Sequence, residues 1–176
     1  MKKILFIVAF RNFRDEEFFV PKEILEKNGI EIKVASTQKG LALGADGGSV
    51  EVDYSLDEIK IDDFDAFVFI GGPGMVENLD NPSFQTLAKE AFEKNKFLAA
   101  ICIAPALLAK AGVLKGKKAT VWSSALNRHP IKILEENGAI YQDQNVVVDG
   151  NLITANGPTA AKEFGEKILE IIKKEN

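Results

Sequence analysis

The sequence predicts an α/β fold in which helices cover a mostly parallel sheet. Short apolar runs, typical of strands buried on both faces, alternate along the chain with segments of helical periodicity. The first such unit has a strand over residues 4–9, a helix over residues 16–28 and a strand over residues 30–36. It fits a right-handed βαβ crossover. A sharp strand-to-helix turn around Cys102 adds a third indication, because open α/β sheets carry their sites beyond the carboxyl ends of strands.

The later elements continue this alternation. Strands are predicted over residues 66–70, 97–101 and 118–121, and helices over residues 82–94, 104–111, 130–137 and 159–174. Glycines divide residues 41–54 into a small hairpin at the edge of the sheet, and residues 11–15 form a polar loop. A second hairpin, over residues 146–154, turns on Asp149-Gly150-Asn151. Because the chain contains no linker or repeat, we expect a single domain over residues 1–176.

Composition limits the class of partner. The 176 residues are 46% apolar and 27% charged, an ordinary globular mixture. A net charge of −4 gives no electrostatic support for nucleic-acid binding. No apolar run approaches the roughly 20 residues that span a bilayer. A single cysteine suits a reducing compartment, so we expect a cytoplasmic protein with neither a nucleic-acid nor a membrane partner.

Cys102 is the only cysteine, and it lies where the strand over residues 97–101 gives way to a helix. Pro105 suits the first turn of that helix and Gly112 suits its end. A turn of this kind, a nucleophile elbow, presents a reactive atom at the edge of the sheet. The adjoining helix N-terminus would also favour a thiolate. The alternative is a cysteine that only fills space in the core.

The segment Gly71-Gly72-Pro73-Gly74 directly follows another buried strand. Without side chains, its backbone N–H groups can approach a bound oxygen. The N–H of Gly72 and the N–H of Ile103 would then form an oxyanion hole beside Cys102. The alternative is a plain tight turn. The segment lacks the features of a phosphate loop and of a complete dinucleotide-binding pattern, so we expect no cofactor.

Two further residues are candidates for proton transfer. Glu17 precedes an apolar run, and a half-buried carboxyl beside a thiol would tend to be protonated and to donate to it or move a proton. Its neighbours Asp15 and Glu16 fit helix N-terminal acids. His129, the only histidine, would complete a Cys–His dyad, but its polar surroundings favour a solvated loop position. One cysteine, one histidine and no spaced carboxylates predict no metal site.

Taken together, these motifs resemble those of the ThiJ/PfpI family, within the class I glutamine-amidotransferase-like superfamily, over almost the whole chain. The motifs are Glu17 four residues before Pro21, Ile70-Gly71-Gly72-Pro73-Gly74, Ala99-Ala100-Ile101-Cys102-Ile103-Ala104-Pro105, and Val147-Val148-Asp149-Gly150-Asn151 with Gly157-Pro158. The resemblance implies a flavodoxin-like three-layer sandwich that forms a homodimer or larger homo-oligomer. It also implies that Cys102 is the nucleophile, Glu17 its buried acid partner, and Gly72 and Ile103 the oxyanion-hole residues.

The chain departs from the family at two positions. Protease-like members carry a histidine directly after the cysteine, where this chain has Ile103, which cannot act as a base. Deglycase-like members often carry a histidine near the position of Trp122, whose indole only donates a hydrogen bond. These departures weaken a peptidase function and leave open whether His129 reaches Cys102.

The leading hypothesis is a glyoxalase- or deglycase-like enzyme that acts on small reactive carbonyls such as methylglyoxal without a cofactor. A redox-sensing or stress-response thiol is the first alternative, because the same acid would stabilise an oxidised cysteine. An intracellular cysteine peptidase or amidase ranks last. Arg11 and Arg14 would favour an anionic group, and the alternative is that they are ordinary solvated surface residues. We expect exposed Phe10, Phe13 and Phe18 to line an interface or the pocket.

Overall fold

The structure is a computed structural model that describes residues 1–174, and its centre is a seven-stranded sheet with helices on both faces. The strands in chain order are β1 (Lys3–Ile7), β2 (Arg11–Phe13), β3 (Glu31–Ser36), β4 (Gly40–Gly44), β5 (Ser49–Val52), β6 (Tyr54–Ser55), β7 (Ala66–Phe69), β8 (Phe97–Ile101), β9 (Lys118–Ala119), β10 (Ile140–Tyr141), β11 (Val146–Asp149) and β12 (Leu152–Ala155). The helices are α1 (Asp15–Lys27), α2 (Pro73–Val76), α3 (Pro82–Glu93), α4 (Ala104–Lys110), α5 (His129–Glu136) and α6 (Ala161–Lys174).

The main sheet has the strand order β11-β12-β8-β7-β1-β3-β6. Its pairings within residues 1–174 are parallel apart from the β11–β12 hairpin, which confirms the mostly parallel α/β fold. The central strands β1, β7 and β8 are buried almost throughout, as their continuous apolar runs predict. Their carboxyl ends lie at one edge of the sheet. At this edge the glycine segment Gly71–Gly74 follows β7, and Cys102 follows β8.

Helices pack on both faces of this sheet and form two apolar layers. Phe84 of α3, Leu107 of α4 and Ile133 of α5 belong to one layer. Phe18 of α1 and Phe164 of α6 belong to the other. This arrangement is the three-layer sandwich that the family resemblance implies. Within residues 1–174 the helices are all too short or too polar to cross a membrane.

The glycine-rich hairpin is real, but its predicted place at the edge of the main sheet is wrong. Strands β4 and β5 form a separate three-stranded sheet with β2, and β6 occupies the edge of the main sheet. The predicted polar loop over residues 11–15 therefore contains a strand. Asp15 then ties the hairpin to α1, because its carboxylate accepts hydrogen bonds from the N–H groups of Gly48 at 2.6 Å and Asp46 at 3.1 Å. From the sequence alone, Asp15 is predicted only as a helix N-terminal acid.

The expected exposure of Phe13 and Phe18 is also wrong, since both side chains are fully buried. Their ring centroids lie 5.3 Å apart, and Phe18 meets Phe6 of β1 edge to face at 5.7 Å. These aromatic contacts fix the segment between β2 and α1 against the sheet. Arg14 and Glu17 belong to this segment, so the packing of the phenylalanines positions both of them.

Candidate active site

Cys102 lies at a strained turn that is held on both sides. Its φ is +64°, a backbone conformation that is unfavourable for a residue with a Cβ. Its N–H donates to the carbonyl of Ala155 at 2.9 Å, and its carbonyl accepts from the N–H of Trp122 at 2.8 Å. Helix α4 begins two residues later, at Ala104. The side chain is partly exposed at the carboxyl edge of the sheet, as a nucleophile elbow requires.

Glu17 is fully buried, more deeply than the sequence suggested, and lies beside Cys102. Its Oε2 accepts a hydrogen bond from the N–H of Gly71 at 3.0 Å. A Cβ added at Gly71 would lie 2.7 Å from both the Cβ of Cys102 and Oε2 of Glu17. Glycine at this position therefore allows the acid, the thiol and the backbone to meet. The other oxygen, Oε1, is buried without a well-aligned hydrogen bond to any residue in the described part of the chain.

Burial dominates the ionisation of Glu17. Loss of solvent raises the pKa of its carboxyl to about 7. The side chain of Cys102, the N–H of Gly71 and the positive charge of Arg14 offset part of this rise. At neutral pH the carboxyl therefore exists in both protonation states. The rise of the Glu17 pKa has the direction expected for an acid buried beside a thiol.

The ionisation of Cys102 differs from the sequence expectation. Burial and the adjacent Glu17 raise the pKa of its thiol well above the usual range. Hydrogen bonds from the N–H groups of Ile103 and Gly72 to the sulfur act in the opposite direction but do not outweigh this rise. The start of the helix therefore does not by itself produce a thiolate. Two groups this close titrate as a coupled pair, so the charge of each depends on the proton of the other.

The N–H groups of Gly72 and Ile103 converge on the sulfur from two different elements. Gly72 has a φ of +110°, and a Cβ there would lie 2.5 Å from the backbone nitrogen of Arg14. A side chain at this position would therefore move the amide away from the sulfur. The oxyanion-hole role of both residues stays a prediction.

A pocket of about 700 Å³ opens over the sulfur. Five of the six candidate residues line it, and these are Gly72, Cys102, Ile103, Trp122 and His129. The sixth, Glu17, lies beneath in the core. His129 is exposed at the start of α5, in agreement with the solvated position expected for it. Within residues 1–174 there is no cluster of three or more His, Cys, Asp or Glu side chains that could hold a metal ion.

Several other lining residues were not found from the sequence. Leu79 and Ile133 line the pocket, although their helical or apolar patterns look like ordinary core positions. Lys110 also lines it, and its Nζ lies 2.8 Å from Oδ1 of Asp80. Of the two arginines considered, Arg14 reaches the pocket, whereas Arg11 is exposed and lies over the ring of Phe10. No sequence signal separates these positions from structural ones.

Comparison with known proteins agrees with this fold. A protein of Brachyspira murdochii described as a ThiJ/PfpI domain protein has a crystal structure that superposes with a TM-score of 0.93. It is 34% identical, and the match covers 98% of this chain and 96% of that one. An uncharacterized protein of Methanocaldococcus jannaschii is 44% identical over 99% of this chain and 84% of its own length.

A relative with a named activity is the deglycase PfpI of Pyrococcus furiosus. It is 34% identical over 97% of this chain and 99% of its own length. Residues 2–171 match the DJ-1/PfpI family. This match spans nearly the whole chain, and the flavodoxin-like sheet with its buried acid, strained cysteine and glycine turn agrees with it. The chain therefore belongs to the DJ-1/PfpI family.

Proposed function

We propose that the protein is a cysteine-dependent, cofactor-independent enzyme that converts small reactive carbonyls, such as methylglyoxal, to hydroxy acids. The observation that carries this proposal is the contact between the Cys102 thiol and a buried Glu17 whose pKa is raised to about 7. An acid with this pKa both accepts and donates a proton near neutral pH, as general acid–base catalysis requires. The deglycase name of a relative that spans nearly the whole chain supports the same class of chemistry.

In the proposed reaction, the Glu17 carboxylate takes the thiol proton as the sulfur attacks the aldehyde carbon. The new S–C bond forms while the carbonyl electrons move to oxygen, which the N–H groups of Gly72 and Ile103 stabilise. Glu17 returns the proton to this oxygen and gives a hemithioacetal. Both amides lie beside the sulfur before the reaction, and this proximity supports their proposed role toward the new oxygen.

The hemithioacetal then rearranges without an external oxidant. Glu17 removes the proton from the carbon bonded to sulfur and gives an enediolate. Glu17 then delivers this proton to the neighbouring carbon, and the hydroxyl proton on the first carbon passes to the neighbouring oxygen. The first carbon is thereby oxidised and the second reduced, which leaves a thioester on Cys102. Water hydrolyses the thioester, releasing lactate from methylglyoxal and restoring the thiol. The transfers of the S–H and C–H protons all involve one carboxyl, so the proposed reaction requires no histidine.

The geometry of the site also affects how well it suits the two alternative functions, a redox-sensing thiol and a cysteine peptidase. Oxidation of a sensor cysteine requires a thiolate, and burial together with Glu17 raises the pKa of the Cys102 thiol. Peptide hydrolysis requires protonation of an amine leaving group, yet Ile103 follows the cysteine and the only histidine, His129, is exposed. Carbonyl addition also begins with loss of the thiol proton, which Glu17 can accept, but it requires no protonation of an amine leaving group. The site therefore favours carbonyl addition over peptide hydrolysis, while the redox alternative depends on the same acid–thiol pair.

The test is lactate formation from methylglyoxal by the wild type, Cys102→Ala and Glu17→Gln. We expect Cys102→Ala to abolish turnover and Glu17→Gln to lower kcat by at least about 100-fold, the usual size of a lost proton-transfer group. Glu16→Gln is the matched control, because it removes an exposed carboxyl one residue away. Its kcat should stay within about twofold of the wild type.

Wild-type turnover no faster than that of Cys102→Ala would refute the proposal. In that case, the intact mass after mild peroxide treatment would test the redox alternative directly. A gain of two oxygen atoms that requires both Cys102 and Glu17 would support it.

A further inference from the structure

The pocket contains an aromatic side chain next to the proposed nucleophile. The backbone N–H of Trp122 donates to the carbonyl of Cys102 at 2.8 Å, which fixes the backbone of Trp122 next to that of Cys102. Behind the indole lies Gly157, where an added Cβ would lie 3.4 Å from Cδ1 of Trp122. Trp122 is partly exposed and lines the pocket. The indole is therefore supported by backbone and still presents part of its surface to a ligand.

Apolar side chains continue this surface. Trp122, Leu79, Ile103, Ile133 and Pro158 line the pocket together, and we call them the apolar wall. The pocket has a volume of about 700 Å³, which lies within the range of roughly 300–1,000 Å³ seen for pockets that bury drug-sized ligands. Methylglyoxal carries only a methyl group beside its two carbonyls, so it would leave most of this wall in contact with water.

The charged groups around the pocket do not favour an anionic substrate. Lys110 is paired with Asp80 at 2.8 Å, and Nη1 of Arg14 is paired with Asp46 at 3.1 Å. The carboxylate of Glu77 also lines the pocket and is exposed, so it opposes a second negative charge. The sequence-based expectation that Arg14 attracts an anionic group is therefore weakened by the partners that surround it. A neutral substrate with an apolar substituent fits better.

We propose that the site prefers 2-oxo aldehydes whose substituent is an aromatic ring, with the ring stacked against Trp122. This inference rests on the proposed function, because it names the substrate class of the same reaction. Phenylglyoxal is the probe: the Cys102 sulfur adds to its aldehyde carbon, the hydrogen on that carbon moves as a proton to the neighbouring carbon, and water releases mandelate. An aromatic pair contributes about two- to twelvefold in affinity beyond the effect of the area that it buries.

The first measurement compares kcat/KM for phenylglyoxal and methylglyoxal, followed as mandelate and lactate. We expect a ratio above about fivefold in the wild type. In Trp122→Ala the ratio should fall by more than about threefold, while Trp122→Phe should retain most of it because a ring remains. Leu126→Ala is the control, since Leu126 is fully exposed on the adjacent loop and does not line the pocket. It should keep the wild-type ratio.

A smaller ratio in the wild type, or the same ratio in Trp122→Ala, would overturn the inference while leaving the proposed function intact. Failure of both glyoxals would refute the proposed function, and the inference would then be decided by binding. Trp122 is the only tryptophan, so its fluorescence reports on this pocket. In Cys102→Ala we expect saturable quenching by 2-hydroxyacetophenone at concentrations at least about tenfold below those needed for hydroxyacetone, with free N-acetyltryptophanamide as the control for collisions. Equal or non-saturating responses would overturn the inference.

Discussion

Replacement of Glu17 by glutamine should stabilise the protein at alkaline pH while it removes activity. The carboxyl is buried, and its pKa rises from an ordinary 4.5 to about 7 on folding. Between these two values the folded chain binds more protons than the unfolded chain, so the free energy of unfolding falls as pH rises through this window. Once Glu17 is fully ionised, the loss is about 3 kcal/mol.

Glutamine has the same shape and carries no charge, so Glu17→Gln should escape this loss. Its amide oxygen can keep the hydrogen bond from the N–H of Gly71, which Oε2 accepts at 3.0 Å in the wild type. The assay is guanidinium unfolding of both proteins at pH 4.5 and at about pH 8.5. The gain of the variant over the wild type should increase by about 3 kcal/mol between the two pH values, or roughly 0.5–1.5 M in the unfolding midpoint.

Glu16→Gln is again the control, because its carboxyl is exposed on the same helix. Its effect should stay below about 1 kcal/mol and vary little with pH. Equal free energies of unfolding for the wild type and Glu17→Gln at both pH values would refute the reasoning. That result would mean that the carboxyl is solvated or paired, and that burial does not control its proton.

Two further predictions follow from the site and from the packing of the helices. kcat/KM for methylglyoxal should rise with pH through about 7, because the reaction begins with Glu17 as a carboxylate; a profile that stays flat between about pH 5.5 and 8 would contradict this role. Gly165→Ala should destabilise the protein by about 1–3 kcal/mol in thermal unfolding, because an added Cβ on α6 would lie 2.9 Å from the Cα of Pro21 on α1. Lys162→Ala, on an exposed position of the same helix, should change stability by less than about 0.5 kcal/mol, and equal losses in both variants would disprove the packing argument.

Most of the main sheet was predictable because the residue pattern of each central strand indicates that the strand is buried. A central parallel strand has both faces covered, so β1, β7 and β8 are continuous apolar runs that stand out in the sequence. The strand predicted over residues 118–121 is β9, although it spans only Lys118–Ala119. Its partner β10 has two residues, and Ile140 is half exposed, so the pattern of β10 is too short to detect. The place of the β4–β5 hairpin depends on its pairing with β2, a distant contact that local patterns do not encode.

The parts of the candidate site that depend on an unusual backbone conformation were predictable. The change from strand to helix at Cys102 and the run of glycines before Pro73 are visible in the sequence, because each needs a particular residue type. The burial of Phe13 and Phe18 was not visible, since apolar side chains beside charged residues fit a surface equally well. The pKa of the thiol was likewise inaccessible, because it depends on a carboxyl that lies 85 residues earlier in the chain and approaches only after folding.

Two costs to stability coincide at this site, and together they argue for function. Within residues 1–174 three non-glycine residues have a positive φ, and two of them are asparagines, which tolerate this conformation; Cys102 is the third. Glycine there would relieve a strain of about 1–3 kcal/mol, and glutamine at position 17 would remove a further penalty of about 3 kcal/mol at high pH. Folding alone therefore favours different residues at both positions. A thiol and a carboxyl that are each unfavourable for folding meet across Gly71 beneath an open pocket. The proposed reaction requires this pair, because in that reaction the carboxyl exchanges a proton and the sulfur forms a bond with the substrate.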